Sequence, residues 1–237
     1  MYFDNKTIFV SGANRGIGKA IVEALLKHKV KKIYAAARDI NNITFSDSRV
    51  VPVALDITER EEIQNAVKQA SDVNVLVNNA GALAFASIVE GSPEDLISDM
   101  QVNYFGTVSI VQAFASVLAK NGGGAIANIS SIVGLAPMAG IGGYSASKAA
   151  LASATQAMRA ELKPKNISVH GIFPGPIDTD MAKNFEMQKT SPQVTAENIL
   201  AGIAAGKEDI FPDPMSMQLS ELWAKDPKGL EKQFASM

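Results

Sequence analysis

The chain has 237 residues, 47% of them hydrophobic, a formal net charge of −2 and no cysteine. A single domain of this length can bury a full core, and the near-neutral charge offers no basic surface to nucleic acid. The missing cysteines exclude disulfides, thiolate metal sites and thiol catalysis.

The start, Met1 to Lys6, lacks the basic-then-apolar pattern of a signal peptide. Thr7-Ile8-Phe9-Val10 reads as a first strand. It runs into Ser11-Gly12-Ala13-Asn14-Arg15-Gly16-Ile17-Gly18 and a helix over 16–28, with Ile17, Ile21 and Leu25 spaced for one buried face. Glycines between a strand and a helix let the backbone approach a pyrophosphate, which then meets the helix N-terminus. The spacing is G-x-x-x-G-x-G, not the general G-x-G-x-x-G fingerprint, and a plain Gly-rich turn reads the same way.

Lys32 to Ala37 is a second strand. A chain that binds NAD should place an acid near its end. Here Arg38 stands there, able to grip a 2′-phosphate bidentately, with Arg15 as a second positive charge. That favours NADP over NAD, although Asp39 could hydrogen-bond a ribose hydroxyl instead. Residues 39–48 are a loop or a single helical turn. Val50 to Leu55 is a third strand, followed by Asp56, which suits an adenine amino group or an ordinary loop.

Thr58-Glu59-Arg60-Glu61 fits a capping box opening a helix to about Ala70. Asn74 to Val77 is a fourth strand ending in Asn78-Asn79-Ala80-Gly81, where small residues let the chain pass close to a cofactor or simply turn. Ser92-Pro93 marks an N-cap and a first helical position. The helical pattern then runs to about Lys120, apolar on more than one face. Asn103, a weak helix former followed by Gly106, marks either an ordinary polar position or a local distortion. No uninterrupted apolar run reaches the ~20 residues that span a bilayer, so a soluble, cytoplasmic chain without a membrane partner is expected.

Strands follow at 125–130 and 167–173, with a helix over about 144–162 between them. Phe173-Pro174-Gly175-Pro176 forms a stiff loop leading to Ile177, Asp178 and Thr179. The tail carries helices near 195–205 and 214–225 and a short strand at 208–211. Alternating strands and helices, with no linker or repeat, indicate one doubly wound α/β domain over 1–237 with a parallel sheet. His28 and His170 lack metal-motif spacing, and no metal is expected.

Tyr144 and Lys148 stand four residues apart, thirteen after Ser131. On a helix the phenol and ammonium share a face, and a nearby cation favours the phenolate, predicting a lowered Tyr144 pKa. Carbonyl reduction needs a proton donor at oxygen while hydride arrives at carbon. Tyr144 suits that role, and Ser131 can polarise the same oxygen. Singly each residue also reads as an exposed helix position or a strand end; together with the glycine turn they read as an active site.

In order, Ser11-Gly12-x-x-x-Gly16-x-Gly18, Asn78-Asn79-Ala80-Gly81, Asn103, Ser131, Tyr144-x-x-x-Lys148 and Pro174-Gly175 resemble the short-subunit branch of the short-chain dehydrogenase/reductase family. The match covers roughly three-quarters of the chain. The resemblance implies a Rossmann-type seven-stranded parallel sheet (αβα) and a bound nicotinamide cofactor. It implies Tyr144 as catalytic acid or base, Ser131 orienting the substrate oxygen, Lys148 on the nicotinamide ribose, and Asn103 holding a relay water. Cofactor contacts are implied for Gly12, Asn14, Arg15, Gly16, Ile17, Gly18, Arg38, Asp56, Asn79, Ala80, Gly81, Pro174, Gly175, Ile177 and Thr179.

The resemblance also implies a homodimer or homotetramer through helices about 99–120 and 144–162, which the small residues Ala149, Ala150, Ala152, Ala154 and Ala157 fit. Ser11 replaces the usual threonine, His170 stands where asparagine is frequent, and the helix between the second and third strands is missing. A pocket lined by 83–90, 132–141 and a substrate loop at 181–195 carries Leu83, Phe85, Ile88, Val133, Leu135, Met138 and Ile141, which implies a small, largely apolar carbonyl or alcohol substrate. The rival readings are a non-catalytic NADP(H)-sensing protein and a carrier-linked 3-oxoacyl reductase.

Overall fold

Alternation along the first strand sets the layers. Ile8 and Val10 of β1 (Thr7–Ser11) point to one face and Phe9 to the other, as a period of two requires. The computed structural model describes residues 1–236. Seven strands form one parallel sheet in the order β3-β2-β1-β4-β5-β6-β7. They are β1, β2 (Lys32–Ala37), β3 (Val50–Ala54), β4 (Val75–Asn78), β5 (Gly124–Ile129), β6 (Ile167–Ile172) and β7 (Asp209–Ile210). Helices α1 (Gly16–Leu26) and α6 (Pro192–Ala204) bury Ile21, Leu25, Ile199 and Ile203 on one face. Helices α2 (Arg60–Gln69), α4 (Thr107–Lys120) and α5 (Gly142–Leu162) bury Ile63, Ile110, Phe114 and Met158 on the other. The strand order reverses between β1 and β4, which opens a crevice at the carboxyl ends of the strands.

Three local readings change. The capping box at Thr58 does not form: the Thr58 hydroxyl donates to Asp56 (2.7 Å), and Glu59 is the N-cap, without a side-chain bond. The Asp56 side chain also accepts from the Thr58 N–H (2.9 Å), which holds Thr58 in a turn ahead of the helix and leaves Glu59 at the cap position. Between α3 (Pro93–Met100), capped by Ser92, and α4, the helix continues through a π turn over Gln101–Gly106, so of the two readings open at Asn103 the local distortion is the one that occurs. A last helix, α8 (Pro227–Ala235), follows α7 (Pro214–Lys225) and was not expected. Its signal stood in the sequence: Asp226-Pro227 as N-cap and first position, then Leu230 and Phe234 on one face.

Continuous through the π turn, Pro93–Lys120 is long and apolar enough by composition to cross a bilayer, which a search for unbroken apolar runs does not detect. Ile110, Val111, Phe114 and Leu118 on it are packed against the sheet.

Candidate active site

The carboxyl ends of β1 to β6 open onto one cavity of about 860 Å³. At one end is the glycine turn. Gly12 has a φ of +63°, and a Cβ there would fall 2.9 Å from the Ala80 Cα, so only glycine fits. Gly18 is buried on α1, where a side chain would collide with the Gly12 carbonyl, so it lets the helix pack close under the turn. Ser11 and Asn79 lock the turn to the end of β4. The Ser11 hydroxyl accepts from the Asn79 and Ala80 N–H groups (3.0 and 3.1 Å), and the Asn79 amide donates to the Ser11 and Gly12 carbonyls. The hydroxyl is what this junction needs, and serine supplies it.

Asn14, Arg15, Gly16 and Ile17 line the cavity beside Gly12. Arg15 is partnered, its guanidinium 3.3 Å from Asp180. The Asp39 carboxylate accepts from the Asn41 N–H and from the Asn41 and Asn42 side chains, capping the short turn Ile40–Asn42. Arg38 is exposed along the same wall, with Asp56 and Thr58 beyond it. One Asp56 oxygen is occupied by Thr58.

At the other end, β5 delivers Ser131 and the first turns of α5 deliver Tyr144 and Lys148; all three line the cavity. Lys148 is buried and its Nζ donates to the Ile129 carbonyl (2.8 Å), 5.5 Å from the centre of the Tyr144 ring. Burial pushes the Tyr144 phenol well above its ordinary value, hydrogen bonding from Ser131 pulls it back, and the charge of Asp99 raises it further. Burial lowers Lys148 to about 8, against the opposing pull of Asp99. The lowered Tyr144 pKa expected from the spacing is therefore overturned. The shared helix face brings the two groups together, but both leave water there, and desolvation is the largest influence on each.

Asn103 is fully buried and off the cavity wall, behind Gly81. Its side-chain oxygen accepts from the Ala82 N–H (2.9 Å), and its amide donates to the Ala82 carbonyl and the Ser147 hydroxyl (both 2.9 Å). Both polar atoms of the side chain thus have protein partners, inside the π turn Gln101–Gly106.

Pro174, Gly175, Ile177 and Thr179 line the wall facing Asn79, Ala80 and Gly81. The Gly175 N–H donates to Asp213 (2.8 Å), a buried acid that also caps α7 through the Ser216 N–H (2.9 Å). Of the apolar residues expected around the substrate, Leu83, Val133, Met138 and Ile141 line the cavity. Phe85 and Ile88 are 46% and 59% exposed, Phe85 beside Phe185 and Ile88 beside Gly142, and Leu135 packs into the C-terminal cluster. Phe185 and Met187 from the substrate loop, Met215 and Leu219 from α7 and Phe234 from α8 complete the wall. Sequence reasoning missed the C-terminal contributors and the two buried acids, Asp99 and Asp213. The pairing of Asp99 with Asn103 at i and i+4 was the available signal for the first, and Asp-Pro at an N-cap for the second.

A family model described as short chain dehydrogenase matches residues 6–190. A 3-oxoacyl-[acyl-carrier-protein] reductase of Thermotoga maritima is 30% identical over 220 residues, covering 87% of this chain and 86% of that one. The human protein of the same description is 30% identical over 190 residues, covering 77% of this chain and 80% of that one. A short chain dehydrogenase from Burkholderia cenocepacia, solved in complex with NADP, is 35% identical with a TM-score of 0.95, each chain covered to 99%.

Proposed function

The chain belongs to the short chain dehydrogenase family and is an oxidoreductase of that kind, and from that premise we propose that it interconverts a small, largely apolar ketone and its secondary alcohol with NADP(H). The carrying observation is one cavity with a glycine cradle and Arg38 at one end and Ser131, Tyr144 and Lys148 at the other.

The residues fit the cofactor. Gly12 lines the cavity and, at a φ of +63°, lets the turn lie against Ala80, which brings backbone rather than side chains to the wall where a pyrophosphate would sit. Arg38 is a cation on the wall without a hydrogen-bond or ion-pair partner among the described residues, and Asp39 is withdrawn into its own turn. The NADP bound by the Burkholderia relative supports the same choice, with NAD the weaker ligand. When bound, the reduced cofactor supplies the hydride.

The protein's share of the chemistry is the proton. Ser131 donates a hydrogen bond to the carbonyl oxygen and holds it against Tyr144. The phenol, kept protonated by its raised pKa, gives its proton to that oxygen as charge develops there. Lys148, buried yet cationic at neutral pH, would bind the ribose, and its charge beside the ring would steady the phenolate until a proton drawn from solvent restores the phenol. In the alcohol direction Tyr144 takes the proton.

Oxidation of NADPH by a panel of apolar ketones tests this. Tyr144→Phe should lower kcat by about 10²- to 10⁴-fold, the worth of a positioned proton donor, with NADPH affinity retained. Tight NADPH binding with no turnover of any carbonyl would instead indicate a sensing protein. The names of the Thermotoga and human relatives favour a second reading, reduction of a carrier-linked acyl chain. The exposed rim beside the cavity carries Glu90, Glu94 and Asp95, which repel an acidic carrier, so a free ketone ranks first. A kcat/KM higher for the carrier-linked substrate would reverse the ranking.

A further inference from the structure

We propose that Asp99 is a positioning residue of this active site: its carboxyl holds the pocket wall 82–86 in place and sets the electrostatic field at Tyr144 and Lys148. The inference rests on the oxidoreductase reading above.

Asp99 is fully buried on α3, one turn before Asn103. Residues at i and i+4 share a helix face, and these two grip alternate N–H groups of one extended segment. Asn103 accepts from Ala82 and Asp99 accepts from Ala84 (3.0 Å). Two residues on, the Ala86 carbonyl accepts from the Gly143 N–H (3.1 Å). Side chains thus serve as the partner strand for a stretch that has none. Leu83, between the two gripped residues, lines the cavity. Phe85 follows with a φ of +54° and meets Phe185 of the substrate loop, ring centres 5.8 Å apart. A phenylalanine in the left-handed region is strained and persists only where its surroundings fix it. The Asp99 bond to Ala84 is the anchor immediately before it.

The second carboxyl oxygen is buried and has no hydrogen-bond partner among the described residues. It faces the backbone of Gly143, where a Cβ would lie 3.2 Å away, next to Tyr144. Unpartnered buried carboxyl oxygens are costly and rare. The charged or titratable groups facing Asp99 are Tyr144 and Lys148 from α5 and Asp95 from its own helix; segment 82–86 carries none. Its charge favours the protonated forms of both Tyr144 and Lys148, the forms that carbonyl reduction needs.

The test is the pH dependence of kcat and KM for NADPH reduction of an aryl ketone such as acetophenone, in wild type, Tyr144→Phe, Asp99→Asn and Asp99→Ala. Asparagine keeps an acceptor for the Ala84 N–H and removes the charge. Asp99→Asn should hold KM within about twofold while the alkaline limb of the kcat profile moves to lower pH. Asp99→Ala should show the same shift and raise KM by about fivefold, the loss of one hydrogen bond. Amide exchange at Ala84 reads the grip without turnover: faster in Asp99→Ala, unchanged in Asp99→Asn. An unmoved alkaline limb in both variants, or equal Ala84 protection in all proteins, overturns the proposal. Loss of the functional reading shows separately, as ketone turnover that Tyr144→Phe does not diminish.

Discussion

Arg38 and Asp39 are adjacent in the chain and differently occupied. The Asp39 carboxylate is consumed by Asn41 and Asn42, whereas the Arg38 guanidinium stands along the cavity wall. Arg38→Asp is expected to lower kcat/KM for NADPH relative to NADH by about 10- to 100-fold, the loss of one or two charge-assisted hydrogen bonds. Titration of both cofactors on both proteins measures it, and an unchanged ratio contradicts the 2′-phosphate contact. Lys148 carries the second residue-scale prediction. Its folded pKa, about 8, lies below the unfolded value. The unfolded chain therefore binds the extra proton between those values, and stability rises with pH through that window. Below it the desolvation penalty is fully present. Lys148→Met should raise stability at pH 7 by about 1–3 kcal/mol while abolishing turnover, the exchange that functional residues commonly make. Melting curves at pH 7 and 10 check this: the variant's advantage should shrink at the higher pH.

At the scale of elements, the π turn Gln101–Gly106 matters because it sets where α3 and α4 aim their side chains. It was legible as a polar residue and a glycine inside an apolar helix. The capping box was not, because Asp56 holds Thr58 in a turn of its own and the helix begins one residue later, at Arg60. Helix α5 is divided along its length. Ala152 is buried and Ala154 packs on the core, so these two leave the expected subunit face; Ala146, Ala149, Ser153, Ala157 and Ala160 remain exposed on the outer side. Small exposed residues let a second helix approach closely. We propose that this stripe, with the outer side of α4, forms the contact of a homodimer or homotetramer. Ala157→Arg should then lower the molar mass measured by light scattering by half or more without unfolding the chain. A wild-type monomer at micromolar concentration removes the proposal.

For the whole molecule, the parallel sheet makes distant residues neighbours. Every strand ends at one edge, so Gly12, Ser131 and Phe234 border a single cavity. The C-terminal helices close its substrate end: Leu230 and Phe234 are 0% and 3% exposed and pack with Ile132, Val133 and Leu219. Phe234→Ala should cost about 2–3 kcal/mol, less than for a fully enclosed phenylalanine because the ring already borders a cavity. It should also raise kcat/KM for bulky ketones relative to small ones. Denaturant unfolding and a substrate series measure the two effects. By itself the sequence determined the order of the strands and of the helices as far as α7, the glycine turn, and the Ser131, Tyr144 and Lys148 set, because periodicity, turn chemistry and i,i+4 spacing are local properties. Only the tertiary structure decided which groups lose their water. Burial reversed the expected direction for Tyr144, withdrew Asn103 from the cavity wall and placed Asp99 beside the reacting pair. Desolvation depends on what the rest of the chain packs around a group, and that packing is written nowhere near the residue itself.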